Sequence, residues 1–340
     1  MTVSAASDAQ QIVLAARPRG RPAPTDFRLE TVPVPVPGPG QMLLHVRFLS
    51  LDPYMRGRMD DRKSYANPVP LGGVMEAETV SEVIQSNLPG FTPGDHVLAR
   101  TGWCSHALSD GVGVRKLDPA RAPISTALGV LGMPGFTAYS GLLVLGRPKA
   151  GETVVVAAAS GPVGSLVGQL AMEEGARAVG IAGGPDKCAY VRDTLGFAAC
   201  IDHRAPDFPA QLAAACPGGI DVYFENVGGE VWQAVLPLLN LYARVPVCGL
   251  ISQYNAVAGG PDRLPATMRD VLTRSLTIRG FINIEFVPEH YGAFLTRVGA
   301  GLADGRIKYR EDVVDGLAHA PEAFIGMLEG RNFGKLLVRI

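Results

Sequence analysis

What this sequence lacks closes off several classes of function. Its 340 residues hold five cysteines, Cys104, Cys188, Cys200, Cys216 and Cys248, an odd number, widely spread and without a C-x-x-C pair. That pattern predicts neither a disulfide framework nor a structural zinc site, and reads as small buried hydrophobes in a reducing compartment. A surplus of one charge sign is missing too. With a formal net charge of −1 there is no basic field for nucleic acid or anionic lipid, so neither partner is expected. Apolar runs are broken by Gly, Pro or charge well short of the ~20 residues that span a bilayer. The opening MTVSAASDAQQIVLAARPRG carries Asp8 early and no basic region ahead of an apolar core. A cytoplasmic chain without a secretory signal is the expectation.

Catalytic signatures are absent as well. The histidines at 45, 96, 106, 203, 290 and 319 form no H-E-x-x-H or other close pair, so no metal site is expected. No Y-x-x-x-K occurs, which removes the tyrosine–lysine couple of short-chain oxidoreductases. Gly330-Arg331-Asn332-Phe333-Gly334-Lys335 is too short between its glycines for a phosphate loop, and Leu336 stands where Ser or Thr would hold magnesium.

What is present centres on residues 152–180. Val154-Val155-Val156-Ala157-Ala158 is an apolar run too short for a helix, as expected of a strand buried on both faces of a parallel sheet. Ala159-Ser160-Gly161-Pro162-Val163-Gly164 follows, an A-x-G-x-x-G form of the dinucleotide fingerprint. Small residues let the backbone turn tightly and approach a pyrophosphate, and Gly164 lets the next helix pack close. Leu166, Val167, Leu170, Ala171 and Met172 give that helix an apolar stripe, and Ala178 to Ala182 supplies the second strand. A strand, glycine turn, helix and strand make a βαβ unit whose helix N-terminus suits phosphate.

Around this unit the chain divides. Residues 1–125 read as short strands, among them Met42 to Leu49, Val74 to Val83 and Asp95 to Ala99, punctuated by Asp52-Pro53, Pro89-Gly90 and Pro93-Gly94. They predict a small barrel-like β domain, completed by about 305–340 through the closing strand Lys335 to Ile340. From 126 to 304 strands and helices alternate: a helix over Phe136 to Leu145, then strands at Ala199 to Ile201, Asp221 to Glu225, Arg244 to Cys248 and Leu276 to Phe281. This predicts an α/β, doubly wound parallel sheet of Rossmann type that binds its ligand at the C-terminal strand ends.

A chain preferring NAD usually carries Asp or Glu at the end of the second strand. Here Ile181-Ala182-Gly183-Gly184 has none, and Lys187, with His203 and Arg204 after the third strand, supplies cations for a 2′-phosphate. NADP is the expected cofactor. Cys248 to Tyr254 runs from a strand end into Gly259-Gly260-Pro261, a loop free to move over a site. Tyr254 then has two readings, a hydrogen-bond donor to a substrate oxygen or a packed surface tyrosine.

Taken together, Leu51-Asp52-Pro53-Tyr54-Met55-Arg56-Gly57-Arg58-Met59, Gly132 to Tyr139, Ala157 to Gly164, Glu225 to Gly229, Cys248 to Tyr254 and Asn332 to Lys335 resemble the zinc-independent double-bond reductases of the medium-chain dehydrogenase/reductase superfamily. This is the prostaglandin, alkenal and curcumin reductase group, the bacterial curcumin reductases most of all. The resemblance covers nearly the whole chain. It implies a GroES-like catalytic domain, a Rossmann domain over 126–304, NADPH as reductant, a homodimer, and reduction of the C=C bond of an α,β-unsaturated ketone or aldehyde.

Carried over by position, it gives the pyrophosphate to Gly161, Pro162, Val163 and Gly164 and the 2′-phosphate to Lys187. Asn226, Cys248, Gly249, Leu250, Ile251, Ser252, Tyr254, Phe281, Ile282, Asn283 and Asn332 take the rest of the cofactor. Tyr254 matches the active-site tyrosine, and Tyr54 and Arg56 line the substrate side. His203 stands where relatives have a tyrosine on the 2′-phosphate, so that contact depends on pH. A quinone reductase of the same superfamily and a nucleotide-binding protein without turnover are the alternatives.

Overall fold

Proline and glycine punctuation cuts the first part of the chain into short strands, and the alternation of apolar stretches with helical stripes continues the series. The structure, a computed structural model, describes residues 8–255 and 263–340. In chain order its strands are β1 (Asp8–Leu14), β2 (Phe27–Pro33), β3 (Met42–Ser50), β4 (Thr79–Ser86), β5 (His96–Ala99), β6 (His106–Ser109), β7 (Arg115–Leu117), β8 (Thr153–Ala157), β9 (Arg177–Ala182), β10 (Ala199–Asp202), β11 (Ile220–Phe224), β12 (Leu239–Val247), β13 (Thr277–Gly280), β14 (Glu311–Asp315) and β15 (Lys335–Arg339). Two compact units result, one formed by the chain up to Leu128 together with Glu311–Ile340, the other by Gly129–Arg310.

In the first unit β1 and β2 pair antiparallel. The larger sheet runs β14-β15-β3-β4-β5-β7, with β6 added to β3. Its core gathers Ile12, Leu14, Val46, Leu49, Met55, Trp103, Phe324 and Val338. Trp103 stacks on Phe27 with centroids 5.5 Å apart.

β4 starts later than the expected strand Val74 to Val83, and Trp103 is the reason. Trp103 N–H donates to the Met75 carbonyl at 2.8 Å and Gly102 N–H to that of Ala77 at 3.2 Å. The carbonyls there are taken up by the backbone of Gly102 and Trp103 instead of a ladder, and Val74 keeps only an isolated bridge to Val13.

In the second unit the order is β10-β9-β8-β11-β12-β13, every neighbour parallel. Counted from β8 this is 3-2-1-4-5-6, the Rossmann order, whose reversal between β8 and β11 opens a crevice at the strand ends. The unbroken apolar run of β8 has a direct cause. Val154 and Val156 pack in one core with the helix Pro162–Glu173, while Val155 and Ala157 pack in the other with Phe208, Leu212 and Val231. Both faces are buried, so no polar alternation is tolerated.

The helix expected over Phe136 to Leu145 begins at Met133 and widens into a π-helical turn over Ser140–Gly146. Gly141 lies so near the Phe224 and Phe281 rings that a Cβ would come within 2.6 Å of each. Strand β12 begins earlier than the expected Arg244. Among the described residues no helix is long and apolar enough to cross a membrane. Gly259-Gly260-Pro261 lies outside the described residues.

Candidate active site

The fingerprint turn is built as its small residues require. β8 ends at Ala157, and Ala158 takes a left-handed conformation with φ 53°, a cost of about 1–2 kcal/mol for a non-glycine residue that is typical of functional turns. Ala159 N–H donates to the Ile181 carbonyl and Gly161 N–H to that of Ala158, each at 2.9 Å. Gly161 then caps the helix Pro162–Glu173, with proline at its first position. At Gly164 a Cβ would fall 2.4 Å from the Ala158 carbonyl oxygen and 2.8 Å from Ala159 Cα. Only glycine lets the helix come this close to the strand end. Its first N–H groups and positive end then face outward at the strand end, an arrangement that favours an anion.

A second cradle closes the end of β9. Gly184, at φ 99°, caps the short helix Pro185–Ala189 that carries Lys187. Asp202, the last residue of β10, accepts the N–H groups of Gly184 and Arg204, each at 2.9 Å. Burial opposes its ionisation, but those two donors hold its carboxyl below the usual range. Asp202 is not legible from the sequence pattern, since the acid that marks cofactor preference is expected at the end of the second strand and this one ends the third. A Cβ on Gly183 would meet His203 Nε2 at 3.0 Å and Arg204 Nε at 3.1 Å. Gly183, His203 and Arg204 are therefore brought together, and the Lys187 charge is felt at His203. Burial first, then Arg204, lowers the His203 pKa and keeps the ring neutral at neutral pH.

The crevice between β8 and β11 is spanned by Asn226, whose Nδ2 donates to the Ala157 carbonyl at 2.8 Å. Glu225 beside it organises two loops at once. Its Oε1 accepts Tyr223 Oη at 2.9 Å, Val227 N–H at 2.7 Å and Gly228 N–H at 2.8 Å. Its carbonyl takes the N–H groups of Cys248 and Gly249 at 2.9 and 3.2 Å. Burial pushes the Glu225 carboxyl up against the pull of these donors. This carboxyl stands within a motif already singled out, yet spacing alone gave it no task.

Past β12, Gly249 to Tyr254 fold back on themselves through the turn Ile251–Gln253. Leu250 N–H donates to Tyr254 Oη at 3.4 Å, and a Cβ on Gly249 would lie 3.0 Å from that oxygen. Burial pushes the Cys248 thiol up to about 12, so it is no nucleophile at neutral pH. Ser252 Oγ donates to the Val227 carbonyl at 2.5 Å. Asn283 Nδ2 donates to Thr137 Oγ1 at 2.9 Å, which joins the Phe281-Ile282-Asn283 segment to the helix Met133–Tyr139.

In the first unit Arg56 is buried, its guanidinium donating to Asp60 at 2.7 Å and to the Gly20 carbonyl at 2.8 Å. The Tyr54 phenol is pushed up by burial, then by Asp52. Arg58, not among the expected site residues, ion-pairs with Glu76 at 2.7 Å. Its guanidinium lies over the rings of Tyr54 and Tyr65, 5.7 and 4.2 Å from their centroids. Asn332 Nδ2 donates to the Gly334 carbonyl at 2.9 Å. Among the described residues no group of three or more His, Cys, Asp or Glu side chains is placed to hold a metal ion.

The sheet order and glycine turn define a dinucleotide-binding fold of Rossmann type, in a chain that also carries a GroES-like β-rich unit. Residues 10–117 match the family model described as N-terminal domain of oxidoreductase, and residues 162–298 match that described as zinc-binding dehydrogenase. The chain is 53% identical to NADPH-dependent curcumin reductase of Escherichia coli (strain K12) over 96% of each chain. It is 40% identical to prostaglandin reductase 1 of Rattus norvegicus over 94% of this chain and 95% of that one. The structure of CurA in complex with NADPH from Vibrio vulnificus superposes with a TM-score of 0.94 at 53% identity, covering 97% of this chain and 98% of that one. A quinone oxidoreductase of Pseudomonas syringae pv. Tomato DC3000, TM-score 0.74 at 21% identity over 98% and 100% of the two chains, shares the fold alone. The chain belongs to the medium-chain dehydrogenase/reductase superfamily, within its group of curcumin and prostaglandin reductases.

Proposed function

We propose that this protein is an NADPH-dependent reductase of the carbon–carbon double bond in α,β-unsaturated ketones and aldehydes, an oxidoreductase acting on CH–CH donors. One observation carries the chemistry: Tyr254 is folded back onto Gly249 and Leu250 at the C-terminal end of the parallel sheet. The glycines fit the cofactor: a Cβ at Gly164 would push the helix off the strand end, and one at Gly183 would strike His203 and Arg204. Gly161, Pro162, Val163 and Gly164 would hold the pyrophosphate, and Lys187 and Arg204, with His203 when protonated, the 2′-phosphate. Asn226, the Cys248 to Tyr254 segment, Phe281, Ile282, Asn283 and Asn332 would hold the remainder.

When bound, NADPH supplies the hydride that the β-carbon of the substrate accepts. The protein's task is then the negative charge on the carbonyl oxygen. With its oxygen accepting Leu250 N–H, Tyr254 donates its O–H to that charge, and a donor so placed is worth about 3–4 kcal/mol in a dry site. Solvent water protonates the α-carbon. Tyr54 is assigned to the substrate side, and Arg56 supports it by fixing the same turn. Zinc takes no part in this reading. A cytoplasmic homodimer joined through the second unit completes it, supported by β13, an edge strand exposed throughout, and by Met268 and Leu272, exposed on the preceding helix.

Loss of NADPH absorbance with a panel of enones, enals and a quinone tests the proposal. Turnover of enones and enals well above that of the quinone is expected; turnover of the quinone alone would sink it.

A further inference from the structure

Glu225 has no part in the chemistry above, yet the loop that carries Tyr254 is built outward from it. Its side chain is buried, and three donors converge on one oxygen, the Tyr223 hydroxyl and the N–H groups of Val227 and Gly228. Tyr223 is itself sealed in the core on β11, so that oxygen is fixed from the side of the sheet. The two N–H groups are charge-assisted donors when the carboxyl is ionised, which makes them the strong kind.

Those two donors open a turn that is awkward to make. Gly228 and Gly229 follow one another at φ 73° and 57°, a left-handed pair that only glycine adopts freely. Once the turn is set, its carbonyls hold the next loop. Ile251 N–H donates to the Asn226 carbonyl at 3.2 Å and Ser252 N–H to that of Val227 at 3.0 Å, where Ser252 Oγ donates as well. The two loops touch without room for more: a Cβ on Gly228 would lie 3.1 Å from Leu250 Cδ2, and one on Gly229 would lie 3.0 Å from Ser252 Oγ. Tyr254 N–H then closes on the Ile251 carbonyl at 3.3 Å. Ser252 and Gln253 are exposed, so burial holds this turn weakly and its hydrogen bonds carry it.

Both ends of the segment thus hang on one residue. The Glu225 carbonyl fixes its entry through Cys248 and Gly249, and the Glu225 carboxyl fixes its middle through the glycine turn. We propose that Glu225 is the positioning residue of Tyr254, its carboxyl setting the Val227-Gly228 turn and that turn setting the place of the phenol. The inference rests on the reading of Tyr254 as the donor to the substrate oxygen.

Turnover of a small enone at saturating NADPH is measured for the parent, Glu225→Ala, Glu225→Gln, Tyr254→Phe and the double variant Glu225→Ala with Tyr254→Phe. Glu225→Ala should lower kcat about tenfold to a hundredfold, the effect of displacing a reacting group by about an ångström. In the Tyr254→Phe background the same change should lower kcat by less than about twofold, because a residue that acts through the phenol has nothing left to place. Glu225→Gln keeps an acceptor oxygen for the three donors and should recover most of the loss. Where Glu225→Ala does not fold, Glu225→Asp, which draws the carboxyl back by one methylene, takes its place with the same expectations. Equal losses in both backgrounds, unchanged kcat in Glu225→Ala, or a glutamine variant as slow as the alanine one would each overturn the inference. Unchanged turnover in Tyr254→Phe alone would sink the reading of Tyr254 and this inference with it, so the two failures are told apart.

Discussion

Lys335 reaches Asp52 across 2.7 Å although the two stand 283 positions apart, and both side chains are almost sealed from water. Lys335 also donates to the Leu51 carbonyl at 2.8 Å, and Ser50 Oγ donates to the far side of Asp52. The pair ties the turn that carries Tyr54 to the last strand of its sheet. Removing one partner strands a buried charge, so Lys335→Ala should cost about 3–5 kcal/mol. Urea unfolding checks this, and Lys335→Met combined with Asp52→Asn should recover most of the loss. An alanine variant as stable as the parent would refute the role.

For the chemistry, Tyr254→Phe should lower kcat by about a hundredfold to a thousandfold. The KM for NADPH and the melting temperature should stay close to those of the parent. Steady-state kinetics with a small enone decides, and unchanged turnover removes the phenol from the mechanism.

The proposed contact of Lys187 with the 2′-phosphate predicts a split between cofactors. Lys187→Ala should raise the KM for NADPH at least about tenfold, the effect of losing one charge-assisted contact. NADH kinetics should not move. Equal effects on both cofactors would refute the assignment.

Gly164→Ala tests the close approach of helix to strand. An added methyl would strike backbone atoms of Ala158 and Ala159, so the helix must retreat at about 1–3 kcal/mol, against the usual gain of alanine in a helix. Reduced NADPH affinity by fluorescence titration, together with a lower melting temperature, is expected. A more stable variant with full affinity would contradict the packing.

His45 and His106 stack with centroids 4.6 Å apart on the paired strands β3 and β6. Burial, then Arg47, lowers the pKa of both, with Glu82 acting the other way on His45. Because the folded values lie below the unfolded value near 6.5, the unfolded chain binds more protons in acid. The stability is therefore full above about pH 6.5 and is lost as pH falls through the depressed folded values. Urea midpoints taken down to about pH 5 should show the loss, with a shallower slope in His106→Asn. Constant midpoints across that range would contradict this account.

Much of the fold was legible because its signals are local. The apolar run of β8, the glycine turn and the helix stripe lie within consecutive residues, and both-sided burial of β8 follows from a run without polar breaks. The late start of β4 was not legible, since Trp103 captures the preceding backbone from far along the chain. Likewise Arg56 could be picked out as a charged residue in a recognisable turn. That its guanidinium ends on Asp60 and the Gly20 carbonyl depends on a distant loop.

The sequence by itself determined the parallel sheet, the glycine turn, the missing acid after β9 and the tyrosine after β12, because each is a matter of residue type at short spacing. Only the tertiary structure decided that Asp202 fixes Gly184, that His203 and Arg204 cover Gly183 and that Lys335 finds Asp52. The physical reason is common to all three. Burial, hydrogen-bond partners and pKa shifts belong to neighbours in space, and strand order rather than chain order chooses those neighbours.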